Sequence, residues 1–172
     1  MLLTCAQLDS LGRLEMKLYT FGYEGLNLDT FIDRLKEAGV RQIVDVREYP
    51  LSRKKGFSKN ALSAALAAHG IEYVHIAALG CPKEIRQRFK LDADWGTYER
   101  SFCRYLKTQS EAVHELARVA KRETACLLCF EADYNKCHRS LVARAALACG
   151  APHLVHLTRE TEVADAPLRA AA

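Results

Sequence analysis

Two thiols, a carboxylate, an imidazole and a guanidinium are concentrated in segment 129–139. The side chains are those of Cys129, Glu131, Cys137, His138 and Arg139. The segment follows an apolar run and precedes a helical pattern, so it crosses from a strand to a helix. Open α/β sheets bind their ligands at such crossings. The sequence therefore predicts a functional site between residues 129 and 139.

The start of the helix after Cys137 favours anion chemistry. Free N–H groups and the helix dipole at this end attract an anion. The same field would lower the pKa of the Cys137 thiol and make it a nucleophile, with His138 as a proton carrier. Glu131 or Asp45 would act as general acid or base. A phosphatase-like or rhodanese-like loop is not predicted, because the next well-spaced arginine, Arg144, falls inside the helix.

A thiol or metal sensor remains an alternative interpretation of the same cysteines. Cys129, Cys137 and His138, with Cys81 as a further donor, are residue types that bind zinc. However, Cys126 and Cys129 would lie on opposite faces of one strand and do not form the close pair typical of structural zinc sites. We therefore assign no metal ligand and no cofactor from the sequence.

Short apolar runs alternate with helical patterns along the chain. This order predicts parallel strands covered on both faces. We expect one three-layer α/β domain over residues 17–159, with a mostly parallel sheet of about five strands and helices on both faces, as in Rossmann-like or flavodoxin-like folds. Residues 1–16 would be an N-terminal extension and residues 160–172 a disordered tail.

The carboxyl ends of parallel strands share one edge of a sheet, so several loops should meet there. Asp45 ends the second predicted strand, and the loop after it is rich in polar and basic residues. Arginine side chains in this place could bind an anion through bidentate contacts. The candidate ligand-binding residues are Gly22, Tyr23, Arg47, Pro50, Ser52, Arg53 and Arg139.

Composition limits the function classes. The chain has 172 residues, of which 49% are hydrophobic and 27% charged, typical of a soluble globular protein. Its apolar runs are shorter than the roughly 20 residues that a membrane span needs, and we expect no membrane partner. A net charge of +4 suits a small anionic ligand without requiring nucleic acid. Seven cysteines, an odd number, favour the reducing cytoplasm. Oligomeric state is left open.

Five ordered motifs resemble a known family. They are Thr20-Phe21-Gly22-Tyr23, the segment from Asp45 to Arg53, Gly56-Phe57-Ser58, Tyr73 with Leu79-Gly80, and Cys129-Phe130-Glu131 with Cys137-His138-Arg139. Together they resemble the bacterial and archaeal family known as domain of unknown function 488, over about residues 17–158. The resemblance implies a compact α/β domain whose motif residues gather in one cleft. It implies no particular activity.

Two positions depart from the family pattern. Relatives often have serine where this chain has Glu24, and Leu-Gly-Gly where it has Leu79-Gly80-Cys81. From the residues themselves, the first functional hypothesis is a small cytoplasmic enzyme, such as a hydrolase, that acts on a phosphorylated or nucleotide-like anion. The alternatives are a non-catalytic nucleic-acid or nucleotide-binding module that uses the loop from Arg53 to Lys55, and the thiol or metal sensor.

Overall fold

A computed structural model describes the protein over residues 16–166. Its centre is a six-stranded sheet in the order β3-β2-β4-β1-β5-β6. The first five strands are parallel, and β6 pairs with β5 in the antiparallel direction. The strands are β1 (Lys17–Gly22), β2 (Gln42–Asp45), β3 (Glu72–His75), β4 (Ala125–Cys129), β5 (His153–Leu157) and β6 (Glu162–Ala164).

Six α-helices connect the strands, and each presents an apolar face to the sheet or to another helix. In the first, the Asn27 side chain accepts a hydrogen bond from the Thr30 amide at 2.8 Å and begins the helix, which buries Phe31, Ile32 and Leu35. The helices are α1 (Leu28–Glu37), α2 (Lys59–Ala67), α3 (Lys83–Asp92), α4 (Trp95–Lys107), α5 (Ser110–Arg122) and α6 (His138–Ala148).

The sheet separates two apolar cores. On one face, Ile43 and Leu128 pack with residues of α1 and α2 such as Phe31 and Leu62. On the other face, neighbouring strand residues pack with residues of α4, α5 and α6, among them Phe102 and Leu116. Successive residues of a strand therefore enter different cores, which explains why every residue of β4 is apolar and buried. The predicted three-layer α/β fold is confirmed.

The C-terminal part differs from the expected disordered tail. Residues 162–164 form β6 at the edge of the sheet, and Asp165 follows in an ordered ion pair with Arg144 of α6 at 2.8 Å. Asp165 also accepts a hydrogen bond from His156 Nε2 at 2.9 Å, and Thr20 contacts the other ring nitrogen at 2.7 Å. These contacts hold the segment in place. The hydrophobic periodicity of the sequence does not predict them. Residues 1–15 and 167–172, which include most of the expected extension and the end of the expected tail, lie outside the described residues.

Within residues 16–166, no helix is both long and apolar enough to cross a membrane.

The Asp165 contacts make a pH-dependent contribution to stability. Partial burial raises the pKa of Asp165, but hydrogen bonds from Arg144 and His156 outweigh it, and the net pKa is below the ordinary value of 3.8. A carboxyl with a depressed pKa in the folded state stabilises the fold above its unfolded pKa and loses this effect as pH falls through the folded pKa.

We expect Asp165→Asn to lower the free energy of unfolding by about 1–3 kcal/mol at pH 7, because the three hydrogen bonds to its carboxylate, two from Arg144 and one from His156, weaken. The difference from wild type should shrink as pH falls below about 4. Denaturant unfolding at several pH values measures it. Asp33→Asn is the control, since Asp33 forms only an exposed pair with Lys36 at 3.6 Å. A difference that stays constant down to pH about 2 would contradict the linkage.

Candidate functional site at the carboxyl edge of the sheet

Three strands end together beside segment 129–139. Gly22, the last residue of β1, lies opposite Cys129, the last residue of β4, and Asp45 ends β2 opposite Leu128. Backbone hydrogen bonds continue past the strands, from the Tyr23 amide to the Cys129 carbonyl oxygen and from the Glu24 amide to the Phe130 carbonyl oxygen. The loops after β1 and β4 therefore leave the sheet side by side.

Gly22 permits this close approach. A Cβ atom at this position would overlap the carbonyl oxygen of Glu131. Gly80, after β3, has the same role, because a Cβ there would overlap the backbone of Glu48. Both glycines are required by backbone contact with a neighbouring loop. Gly22 is thus a positioning residue for the loop that carries Glu131.

Two thiols, an imidazole and a carboxylate meet on the α4–α6 side of this edge. The Cys129 thiol donates to Glu131 Oε2 at 2.8 Å, and the Cys137 thiol lies 3.5 Å from the same oxygen. His138 Nδ1 lies 3.6 Å from Cys129 Sγ and 3.9 Å from Cys137 Sγ. We call these four residues the Cys–His–Glu cluster. Cys129, Cys137 and His138 are buried, whereas Glu131 is exposed to solvent.

The local fold explains how the cluster forms. Cys129 and Glu131 keep the alternation of β4 and project to the same side, while Cys137 precedes the first residue of α6. His138 Nε2 is 2.8 Å from the carbonyl oxygen of Val46, and a carbonyl can only accept, so Nε2 carries a hydrogen. The ring also packs edge-on against Phe102 of α4. Nδ1 therefore faces the two thiols.

The members of the cluster shift one another's pKa values. Burial alone raises the pKa of the Cys137 thiol, but the hydrogen bond with Cys129 and the positive charge of Arg139 bring it well below the ordinary value. The hydrogen bond with Cys137, followed by burial, raises the pKa of Cys129. Burial lowers the pKa of His138, but hydrogen bonding and charge attraction to Cys137 raise it overall. Cys137 is thus the thiol that ionises first.

A second polar group lies on the α1–α2 side of the same edge. The fully buried Asp45 accepts from Arg47 Nε at 2.9 Å and from Arg47 Nη2 at 2.5 Å, and Tyr73 donates to it at 2.6 Å. Arg47 Nη1 donates to the Tyr23 hydroxyl at 3.0 Å and to the Phe57 carbonyl oxygen at 2.9 Å. The predicted site residues are therefore divided between the two faces of the sheet.

Arg139 is also held by protein groups. Its side chain is fully buried, and its two terminal nitrogens donate to the carbonyl oxygens of Glu131 and Ala132. Arg139 Nε is buried without a hydrogen-bond partner. Arg47 and Arg139 were both predicted to bind an anion, but in this arrangement their donors chiefly hold the loops after β2 and β4. Their effect on a ligand would be through the positions of those loops.

The loop after β2 is organised by Ser52 and Pro50. Ser52 exchanges hydrogen bonds with the Ser58 hydroxyl, and the Pro50 carbonyl oxygen accepts from the Lys59 amide at 2.9 Å. Arg53 is exposed at the tip, and Lys54 Nζ reaches the Tyr23 carbonyl oxygen at 3.3 Å. Of the predicted binding arginines, Arg53 is the one whose charge faces solvent.

Tyr98 is a neighbour of the cluster that was not predicted from the sequence. Burial raises the pKa of its hydroxyl, as do the adjacent thiols of Cys81, Cys137 and Cys129. Burial raises the pKa of Cys81 to about 11, partly offset by its hydrogen bond with Tyr98. In the sequence, Tyr98 stands with Trp95, Phe102 and Tyr105 at spacings of three and four, a helical pattern that predicts packing or a lid. No local signal distinguishes it from Phe102, because their difference depends on where α4 crosses the sheet.

The two departures from the family pattern have structural explanations. The Glu24 carboxylate accepts a hydrogen bond from the Ala132 amide at 3.0 Å and so supports the loop after β4. Cys81 is buried next to Tyr98 and contributes a third thiol near the cluster. Both changes lie around segment 129–139 rather than at a distant surface.

A known protein family matches most of this chain. Residues 27–146 match the domain of unknown function DUF488. The chain belongs to this family. The match includes the whole Cys–His–Glu cluster and the loop after β2, and begins after Gly22 and Tyr23. Neither a search of curated proteins nor a search of solved structures gave a match.

The Gly22 contact gives a prediction about stability. We expect Gly22→Ala to lower the free energy of unfolding by about 2–4 kcal/mol, because the methyl group displaces the Glu131 backbone from β1. Thermal or denaturant unfolding measures this change. Gly96→Ala in α4 is the matched control, since its Cβ would meet only the end of the Arg100 side chain and a side-chain oxygen of Asp94. Alanine favours a helix, so the control should be neutral or up to about 1 kcal/mol more stable. Equal effects would show that the close approach at Gly22 is unimportant.

Proposed function

We propose that this protein is a small enzyme that acts on a phosphorylated or nucleotide-like anion at the carboxyl edge of the sheet, with Glu131 as general acid or base. The proposal depends most on Glu131. Its carboxylate is exposed to solvent while Oε2 contacts the buried thiols of Cys129 and Cys137. A group that joins solvent to a buried reactive cluster is suited to moving a proton between substrate or water and the protein.

The charge for an anion comes from the loop after β2. Arg53 and Lys55 are exposed, and Lys54 lies over the Phe57 ring at 5.8 Å. Because the guanidiniums of Arg47 and Arg139 are directed to protein acceptors, we assign the direct contact to Arg53 and Lys55 and give Arg47 and Arg139 a positioning role. Asp45 is likewise neutralised by Arg47, which supports Glu131 rather than Asp45 as the proton-transfer group.

An exposed aromatic side chain supports a nucleotide rather than a simple phosphate. Phe130 is 44% exposed and packs edge-on against Tyr23, with ring centroids 5.4 Å apart. It follows the last residue of β4 and directly precedes Glu131. Aromatic faces of this kind stack on nucleobases. A ligand that crosses the sheet edge could contact Phe130 and the basic loop on one side and Glu131 on the other.

A non-catalytic nucleic-acid-binding module is the second candidate. Tyr49 and Leu51 are 64% and 77% exposed in the same loop as the three basic residues. Aromatic and basic side chains together are typical of single-strand binding surfaces. Free thiols at all six described cysteines fit either function in a reducing compartment such as the cytoplasm.

The test begins with binding. Thermal shifts are measured with phosphate esters, nucleosides, nucleotides and short single-stranded oligonucleotides, at low and high salt. We expect Arg53→Ala/Lys55→Ala to weaken nucleotide binding about tenfold or more, because charge-assisted contacts to phosphate are lost. The control is Arg118→Ala/Arg122→Ala, which removes the same charge from the exposed side of α5. Equal weakening by both double variants would contradict a specific anion site.

The second measurement separates enzyme from binding module. Compounds that bind are incubated with the protein and the products are analysed by mass spectrometry. We expect turnover of a nucleotide-like compound and a loss of about a hundredfold or more in Glu131→Gln, with binding retained, because the amide transfers no proton. Normal turnover in Glu131→Gln would overturn its role. Tight, strongly salt-dependent oligonucleotide binding without turnover of any bound compound would favour the non-catalytic module.

A further inference from the structure

We propose that the Cys–His–Glu cluster is a binding site for a divalent metal ion of the zinc class, with Cys129 Sγ, Cys137 Sγ and His138 Nδ1 as fixed donors and Glu131 Oε2 as a replaceable fourth donor. The cluster contains the one group of three candidate donors found close together among residues 16–166, those of Cys129, Cys137 and His138, which lie within 4.8 Å of one another. This site goes beyond the proposed enzyme function and does not depend on it.

The donor spacing fits a tetrahedral ion. Zinc binds sulfur at about 2.3 Å and nitrogen or oxygen at about 2.0–2.2 Å, so tetrahedral donors lie about 3.3–3.8 Å apart. The sulfur–nitrogen distances here are 3.6 and 3.9 Å, and Cys137 Sγ is 3.5 Å from Glu131 Oε2. The contact of 2.8 Å between Cys129 Sγ and Glu131 Oε2 is shorter than this spacing and would lengthen when the thiol proton is replaced by the ion. Glu131 is exposed and free to make this small movement.

The orientation of His138 is independent support. The Nε2 hydrogen points to the Val46 carbonyl oxygen at 2.8 Å, which leaves Nδ1 directed at both thiols. A histidine that binds a metal almost always donates its second ring hydrogen to a carbonyl or carboxylate in this way. The Val46 bond selects the tautomer whose free lone pair lies inside the cluster. A histidine placed only for packing against Phe102 would not need Nδ1 in this direction.

The donor types favour zinc over harder ions. Thiolate and imidazole ligands suit Zn²⁺, whereas Mg²⁺ and Ca²⁺ prefer six or more oxygen ligands. Three of the donors are buried and fixed, and Glu131 supplies the fourth from the solvent side. The carboxylate is therefore the ligand that water or another oxygen donor could replace. The sequence already offered Cys129, Cys137 and His138 as a possible metal group but no close cysteine pair, because a loop and not one short motif brings the two thiols together.

The experiment uses the full chain, purified without a metal-affinity tag or chelator and kept reduced. After addition of zinc and dialysis, we expect one equivalent of zinc per chain by elemental analysis. Cobalt added to metal-free protein should give the intense visible bands of a tetrahedral site and a thiolate-to-cobalt charge-transfer band. Less than a tenth of an equivalent of zinc together with no such cobalt bands would overturn the site.

Variants identify the ligands. Cys137→Ser and His138→Gln should weaken zinc binding by about a hundredfold or more. Loss of a direct ligand should cost at least as much affinity as loss of a residue that only supports a ligand. Glu131→Gln should weaken it less and keep the thiolate charge-transfer band. Cys126→Ala, on the opposite face of β4, is the matched control and should bind like wild type. Unchanged zinc affinity in Cys137→Ser and His138→Gln would overturn the assignment.

Folding of the variants is checked by circular dichroism. If a ligand variant does not fold, the wild-type protein still tests the site, because zinc that binds only the folded chain must raise its melting temperature. If zinc does not raise the melting temperature of the folded wild-type protein, the result contradicts the site. Metal content is measured without substrate, so the two proposals are tested separately. Zinc binding without nucleotide turnover would contradict only the proposed enzyme function. Nucleotide turnover without zinc binding would contradict only the metal site.

Discussion

The hydrogen bond between His138 Nε2 and the Val46 carbonyl oxygen connects the parts of the molecule on which the candidate site depends. It joins the first residue of α6 to the end of β2, across the end of the central strand β4. Because the acceptor belongs to the backbone, its position is fixed by the sheet and does not depend on a rotamer. The bond therefore sets the ring orientation, and with it the direction of Nδ1 toward Cys129 and Cys137.

Backbone contacts make that arrangement possible. The loop after β4 passes so close to β1 that only glycine fits at position 22, and Arg139 then fastens the loop through the carbonyl oxygens of Glu131 and Ala132. A buried arginine with an unpaired Nε is costly to keep, since burial of polar donors without partners is unfavourable. The presence of Arg139 at the start of α6 is explained better by its role in holding the loop after β4 than by a gain in stability.

The sequence supported the layered fold more strongly than the site. Alternating apolar runs and helical patterns are local signals, and they predicted both the parallel sheet and its covered faces. To predict whether the motif residues form a single cleft, as the resemblance implied, one must also know on which face of the sheet each side chain lies. Strand alternation places Asp45 with Ile43 on the α1–α2 side, and Cys129 with Leu127 on the α4–α6 side. Residues from different strands can therefore share an edge while belonging to different cores.

Some features had no local signal in the sequence. Tyr98 of α4 lies beside the thiols of the cluster, and β6 pairs with β5 next to the contacts of Asp165 with Arg144 and His156. Conversely, Arg47 had the residue type and position of an anion ligand, but Asp45, Tyr23 and Phe57 accept four of its hydrogen bonds. A charged residue type shows what a side chain could bind, and only its neighbours show what it does bind.

The division between two faces also bears on how chemistry could occur. On the α1–α2 side, the Asp45–Arg47 pair is neutral as a unit and enclosed by aromatic rings, so it is suited to hold the loop after β2 rigidly. On the α4–α6 side, one exposed carboxylate touches two buried thiols, and no protein cation forms an ion pair with it among the pairs described in residues 16–166. Excess negative charge from a thiolate beside a carboxylate is stable in a buried place only with a positive partner. The nearby Arg139 and His138 as an imidazolium are such partners, and a bound divalent ion is a stronger one, which is why the geometry of this face points to a cation as well as to proton transfer.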